Sequence, residues 1–249
     1  PVEAVQARIG YDGTVWRVAE ATVRAGRGRI EAEGEWAPAP QPWQIDATVR
    51  GVRPGLLHTE LAGAPISGRA KATQKDDAIA FDVALQAEGG AAAKALEGFK
   101  LERAAAQGQW ARQVLDLRTL RIEAERASIQ GQLQVRVADQ AASGDLKATL
   151  PGGSAQVKGR IAPTQGAGEV QARIDDAAMM QAWVERLPGL DKTFAGASAR
   201  GSARLDASWQ GGWRAIQQRL QAVNTPVADR AAEPSLKARL EASRLDLRL

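Results

Sequence analysis

The sequence predicts a mainly β protein: one long antiparallel sheet, curled into an open groove with an apolar concave face and two or three short helices. Three observations predict it. Apolar and polar residues alternate with period two through most of the 249 residues. Successive side chains of a strand point to opposite faces, so this pattern gives one apolar face and one wet face. Turn-forming residues interrupt the alternation at short, regular intervals, as in a meander. Finally, the apolar positions hold mostly Ala, Gly, Val, Leu and Ile. Aromatic residues make up only 4% of the chain, and a face built on small side chains packs poorly against itself and leaves room.

In chain order, residues 5–9 form the first alternating segment. Ile30, Ala32, Gly34 and Trp36 follow, and after Ala37-Pro38-Ala39-Pro40 come Trp43, Ile45, Ala47 and Val49. Residues 66–72 lead through Asp76-Asp77 to Ile79, Phe81, Val83, Leu85 and Ala87. In residues 115–137 Leu, Ile and Val alternate with polar residues around a mid-strand glycine. Here Ala127, Ile129, Gly131, Leu133, Val135 and Val137 face one way, and Ser128, Gln130, Gln132, Gln134 and Arg136 the other. Residues 146–150, 155–161 and 168–174 repeat the pattern, divided by Pro151-Gly152-Gly153 and by the turn at 163–166. Residues 197–209 are the clearest case, and 236–242 the last.

Three stretches depart from it. Met180, Trp183, Val184 and Leu187 are helically spaced, with Asp175-Asp176 to cap the start and Pro188-Gly189 to stop the helix. Trp213, Ile216, Leu220 and Val223 share that spacing, ended by Pro226, and the Ala-rich residues 90–98 suggest a turn of helix. Residues 223–235 read as the longest loop. The expected organisation is a single elongated sheet over 1–249, with short helices near 177–187 and 212–224. Leu245, Leu247 and Leu249 still alternate at the last residue, so the chain is expected to be a segment of a longer protein.

Little in the sequence points to catalysis. There is no cysteine and one histidine, His58, so neither a zinc site nor a Ser-His-Asp triad is expected, and no G-x-S-x-G elbow supplies a serine. Asp76-Asp77 and Asp175-Asp176 are adjacent pairs. On a strand such neighbours face opposite ways, so turn and capping roles explain them better than acid–base partnership. Gly26-Arg27-Gly28 and Gly166-Ala167-Gly168 do not complete a phosphate-binding G-x-G-x-x-G. We therefore expect no enzyme activity, no cofactor and no metal. The net charge of +4 comes from 33 basic and 29 acidic residues that are interspersed, as in Arg121-Ile122-Glu123-Ala124-Glu125-Arg126. Such mixing makes a solvated surface rather than a phosphate track, and nucleic acid is not an expected partner. No apolar run is long enough to span a bilayer.

The apolar face is then the candidate site. Its expected lining is Ile45, Val49, Phe81, Val83, Leu85, Ile122, Ile129, Leu133, Val135, Val137, Ile161, Val170 and Leu205. Trp16, Trp36, Trp43, Trp110 and Trp209 lie in or at the ends of the alternating segments, on the apolar register. Simple packing accounts for them. The functional reading is that they border an apolar groove at its wet edges, where a ring with a polar tip is favoured.

Several phrases carry a resemblance: Arg29-Ile30-Glu31-Ala32-Glu33-Gly34-Glu35-Trp36, then 43–51 and Val52-Arg53-Pro54-Gly55-Leu56-Leu57, the mid-strand glycine in 115–137, and Leu187-Pro188-Gly189-Leu190 leading into 194–201. In this style of sequence the chain resembles the TamB (translocation and assembly module) family of the AsmA-like group of bacterial envelope proteins. The resemblance covers most of the chain and includes no catalytic motif. It implies a sheet folded lengthwise into a trough, a β-taco, that shelters phospholipid acyl chains between inner and outer membrane. It also implies a periplasmic location, with an inner-membrane anchor outside this segment, and an outer-membrane barrel partner of the TamA type. A scaffold for outer-membrane protein assembly or secretion is the second expectation, through strand addition at a sheet edge. A stiff exported β-solenoid with a dry, filled core is the third. Its usual richness in Asn, Thr and Ser over Arg is not found here.

Overall fold

The computed structural model describes residues 3–38, 41–53, 64–88, 101–185, 198–215, 217 and 235–248. They form one sheet of 14 strands in sequence order, each hydrogen-bonded to the strands before and after it. The strands are β1 (Ala4–Tyr11), β2 (Trp16–Ala25), β3 (Gly28–Trp36), β4 (Trp43–Val52), β5 (Ile66–Lys75), β6 (Ala78–Ala87) and β7 (Leu101–Ala111). They continue as β8 (Val114–Ala124), β9 (Ala127–Arg136), β10 (Ala141–Leu150), β11 (Gly153–Ile161), β12 (Ala167–Ile174), β13 (Ser198–Gln210) and β14 (Ser235–Arg248). Every pairing is antiparallel. β1 and β14 do not pair with each other, so the sheet has two edges and no barrel closes.

Among the described residues no second sheet covers it. Strands pack mainly on their sequence neighbours, and the substantial packing outside the ladder is a helix, α1 (Ala177–Val184), against β13. The accessible surface is 16674 Å². A compact monomer of 26.4 kDa exposes about 10,600 Å². The excess is what a single layer wet on both sides produces.

Most strands follow the alternation directly. Three that the sequence reading did not set out as separate strands, β2, β7 and β8, each carry a β-bulge. Residues between Val18 and Ala21, between Leu101 and Arg103, and between Leu117 and Leu120 outnumber those opposite them. An extra residue flips the parity, so period two breaks in mid-strand, and the strand bends and twists more there. The segment 115–137 accordingly resolves into β8 and β9 around the tight turn Glu125-Arg126, where both residues have positive φ (51° and 65°). Val137 falls one residue beyond β9, in the turn to β10, its N–H bonded to Gln113 O at 3.0 Å.

Mid-strand glycines let neighbouring strands approach where a side chain would not fit. At Gly131 and Gly159 φ is +148° and +149°, values that L side chains avoid. A Cβ at Gly131 would run into Asp145 O, and one at Gly159 into Ala167 O.

The helix α1 begins as expected. The Asp176 carboxylate accepts from Met179 N at 2.9 Å, satisfying one free amide of the first turn. The second helical expectation is met in part, by helical residues 213–215 and 217, while Ile216, Leu220 and Val223 lie outside the described residues. So do the turn of helix expected at 90–98, His58, residues 187–197 and the loop to 234.

Candidate functional site

The site is built from the register. Because directly opposed residues share a face, each row of partners can be followed across the whole sheet. The first row runs Ile9, Val18, Gly34, Ile45, Ala72, Phe81, Gly108, Leu117, Leu133, Gly144, Gly159, Gly168, Trp209, Leu236. The next runs Ala7, Ala21, Ala32, Ala47, Ala70, Val83, Ala106, Leu120, Gly131, Leu146, Val157, Val170, Ala207, Ala238. The third runs Val5, Val23, Ile30, Val49, Gly68, Leu85, Ala104, Ile122, Ile129, Ala148, Ala155, Ala172, Leu205, Leu240. Three rows across 14 strands make 42 positions, and none carries a polar side chain. At about 4.8 Å per strand the rows extend about 60 Å along the hydrogen-bonding direction.

Ten of the thirteen expected lining residues fall in these rows: Ile45, Phe81 and Leu133 in the first, Val83 and Val170 in the second, Val49, Leu85, Ile122, Ile129 and Leu205 in the third. Val135 and Ile161 share the same face one row further out, and Val137 sits in its turn. Most of the rows are half-buried. Exposure climbs at the two edge strands, to 67% at Val5 and 65% at Leu240. Reasoning from the sequence missed the aliphatic contributions of β2 and β7 and, apart from Ile122, those of β8. The available signal was the restart of alternation after each bulge, Ala21-x-Val23 in β2 and Leu120-x-Ile122 in β8.

The opposite face is charged and internally paired. Ion pairs cross between strands at Arg17–Glu35 (3.1 Å), Arg50–Glu31 (3.5 Å) and Lys71–Asp46 (3.7 Å). Others link residues two apart on one strand, such as Arg121–Glu123 and Arg204–Asp206. Gln107 Nε2 donates to Asp82 at 2.8 Å and Gln156 Nε2 to Asp145 at 3.0 Å. All are solvent-exposed or half-buried, so each adds at most about 1 kcal/mol. Depressions on this face, such as the one among Gln156, Arg173, Arg204 and Asp206, are open gaps between long side chains. Among the described residues no group of His, Cys, Asp or Glu is arranged to hold a metal, and no helix is long and apolar enough to cross a membrane.

The two long margins of the apolar face, where the strands end, differ. At one, α1 lies against the sheet. Met180 reaches the apolar face, for a Cβ at Gly153 would meet its Cε. Gln181 Oε1 accepts from Ala199 N at 2.6 Å, and Trp183 Nε1 donates to Glu125 O at 3.1 Å. Val52 and Ile66, paired at this margin, are 6% and 3% exposed. At the other margin, Tyr11 pairs with Trp16, and Trp16 with Trp36. Tyr11 and Trp16 stack at 4.5 Å between centroids. The Trp43 indole donates to Gln74 Oε1, and Trp110 pairs with Ile79 and Leu115.

A scan of family models, a search of curated proteins and a search of solved structures each returned no match to this chain.

Proposed function

We propose that the chain is a passive lipid-transfer scaffold: its apolar face shelters phospholipid acyl chains, and its charged face keeps the assembly in water. The single observation that carries this reading is the set of 42 face positions in three rows without a polar side chain, on a sheet over which the described residues place no second layer. Apolar surface of that extent is costly to leave wet, and on a soluble chain marks a place where something apolar binds.

The magnitudes suit transfer. Each methylene taken fully out of water contributes about 0.8 kcal/mol, so a chain of about a dozen methylenes laid on one side of a sheet gains about 5 kcal/mol. That is a millimolar-range hold for one acyl chain and a much tighter one for two. Because the rows are chemically uniform, a lipid meets no polar barrier in stepping from strand to strand. By resemblance the setting is the periplasm, with an anchor outside this chain, phospholipid as cargo and a barrel protein of the TamA type at the outer membrane. No catalytic step enters.

A second reading is supported by the two free edges. Among the described residues β1 and β14 have one side of their backbones unpaired, and they carry exposed Val5, Ile9, Leu236 and Leu240. Such edges accept further strands, as a scaffold for outer-membrane protein assembly requires. Crosslinks from β14 to an unfolded barrel substrate would support it.

The deciding experiment for the first reading is mass spectrometry of lipid extracted from detergent-free purified chain, beside a β-sandwich of similar size. Phospholipid in stoichiometric excess over that control is expected. Its absence from folded, monodisperse chain shifts the function to the edges.

A further inference from the structure

The aromatic rings are not scattered over the apolar face. Every aromatic side chain carried by a described strand, Tyr11, Trp16, Trp36, Trp43, Phe81, Trp110 and Trp209, lies in the two rows nearest one margin. The register explains how: odd strands end and even strands begin at that margin, and Trp16 and Trp43 open even strands while Trp36 and Trp110 close or nearly close odd ones. Trp213, just past the end of β13, joins them, its N–H bonded to Ala162 O at 3.0 Å. The opposite margin has no strand aromatic among the described residues. Its one ring, Trp183, belongs to α1 and is tied to the β8–β9 turn.

The rings themselves are open: Tyr11, Trp16, Trp36 and Trp110 are 56%, 41%, 44% and 38% exposed. Val52, Ile66, Ala124 and Ala127 at the far margin are buried, as are the small residues Ala37, Ala141 and Ala162 on the ring side. Just outside the rings, the turns carry exposed charges of both signs, paired as Arg17–Asp12 (3.7 Å), Arg112–Asp77 (3.9 Å) and Arg136–Asp139 (3.4 Å). Along the ring-bearing strands β1, β2, β3, β4 and β7 the environment therefore grades from charged turn, through amphipathic ring, to aliphatic floor. A glycerophospholipid has the same order from head group through glycerol to chain end, and Trp and Tyr settle at the glycerol level of a bilayer for this reason.

We propose that the Tyr11–Trp16–Trp36–Trp43–Trp110 margin is the head-group side of the face, so that bound glycerophospholipids lie along the strands with heads at these rings and chain ends toward Val52, Ile66 and Ala124. This rests on the lipid reading above and adds a fixed orientation to it. Each lipid then lies across the direction of travel, and transfer along the sheet is sideways movement with the head held in the wet margin.

The test uses two phosphatidylcholine probes, one with a carbene precursor on the head group and one with it at the chain terminus. Each is crosslinked to the whole chain, and the labelled peptides are mapped by mass spectrometry. The expected result is head-group labelling several-fold enriched at residues 11–17, 36–44 and 109–114, and chain-end labelling enriched at 49–52, 66–68 and 120–127. Trp36→Leu with Trp110→Leu should weaken the head-group bias while lipid still binds. Labelling without preference, or with the reverse preference, overturns the orientation and leaves lipid binding standing. Labelling by neither probe on folded chain overturns both.

Discussion

The indole of Trp209 in β13 lies over Gly168, its register partner in β12: a Cβ at Gly168 would collide with ring carbons Cζ2 and Cη2, and the indole N–H reaches beyond β12 to donate to Arg160 O of β11 at 3.2 Å. One side chain thus ties three strands on the apolar side of the sheet. It needs the glycine, because any side chain at 168 occupies the ring's place.

Gly168→Val should therefore destabilise the chain by about 2 kcal/mol, the usual cost of forcing atoms into an occupied position. Trp209→Leu removes the ring, so the double variant Gly168→Val/Trp209→Leu should be clearly less destabilised than the sum of the two singles. Urea midpoints measure this. Additive losses would mean that the ring does not depend on Gly168.

This pair also marks how far the sequence could be read. Alternation alone placed residues 168–174 and 197–209 on strands and put Gly168 and Trp209 on one face, because neither strand has a bulge between them. It could not show that they are partners, since register depends on loop lengths and on every bulge between. The same limit hid β2, where the extra residue near Ala19 moves the apolar set from even to odd positions. It hid β7 as well and left β8 undivided from β9 within 115–137; the turn that joins β7 to β8, Arg112-Gln113, has no glycine, proline or asparagine to announce it. Apolar identity was legible almost everywhere, but the gathering of rings at one margin was not, since it appears only once the strands are counted and their directions alternate.

The Arg112-Gln113 turn gives a second prediction. Both residues have positive φ, 48° and 62°, as a two-residue hairpin of this hand requires. Neither is suited to it, and the left-handed region costs an ordinary L-residue roughly 1 kcal/mol or more. Arg112→Asn with Gln113→Gly should stabilise the chain by about 1–2 kcal/mol, less the weak exposed pair that Arg112 makes with Asp77. A higher urea midpoint at constant slope is the expected readout. An unchanged midpoint would argue that the turn is not strained.

Acid should act through specific carboxylates. Asp12 is held below the usual 3.8 chiefly because it accepts backbone N–H groups of Val15 and Thr14, at 2.9 and 3.1 Å. Asp206 is lowered mainly by its hydrogen bond from Arg204, Nε to Oδ2 at 2.8 Å. A carboxylate depressed by folding adds stability that is fully present above 3.8 and is lost as pH falls through the folded value. Carboxyl NMR titration should give midpoints below 3.8 for both residues. Asp206→Asn should flatten the acid limb of the stability curve without changing stability's pH dependence above pH 5. A midpoint at or above 3.8 for Asp206 would show that its pairing with Arg204 does not persist in solution.

The lipid-sheltering face is best challenged where packing is loose enough to accept a charge. Leu133 is in the first apolar row, between Leu117 and Gly144, and its Cδ1 lies 3.4 Å from where a Cβ on Gly144 would be. Leu133 is half-buried and not locked in a closed core. Leu133→Arg should cost about 1–2 kcal/mol of stability, since only part of a leucine's burial is lost and the guanidinium can reach water along the sheet. Its effect on lipid should be disproportionate, because a charge in the middle of an unbroken apolar row is a barrier to chains that must pass over it. Gln132→Arg, one residue away on the opposite face, changes charge without touching the rows. Phospholipid per folded chain, measured by mass spectrometry on both variants, should fall severalfold for Leu133→Arg and stay at the parent level for Gln132→Arg. Equal lipid in both, with circular dichroism confirming the sheet, would remove the face from the path of the lipid. A fall in both would instead point to loss of the sheet's edges or charge balance as the cause, and so favour the assembly reading.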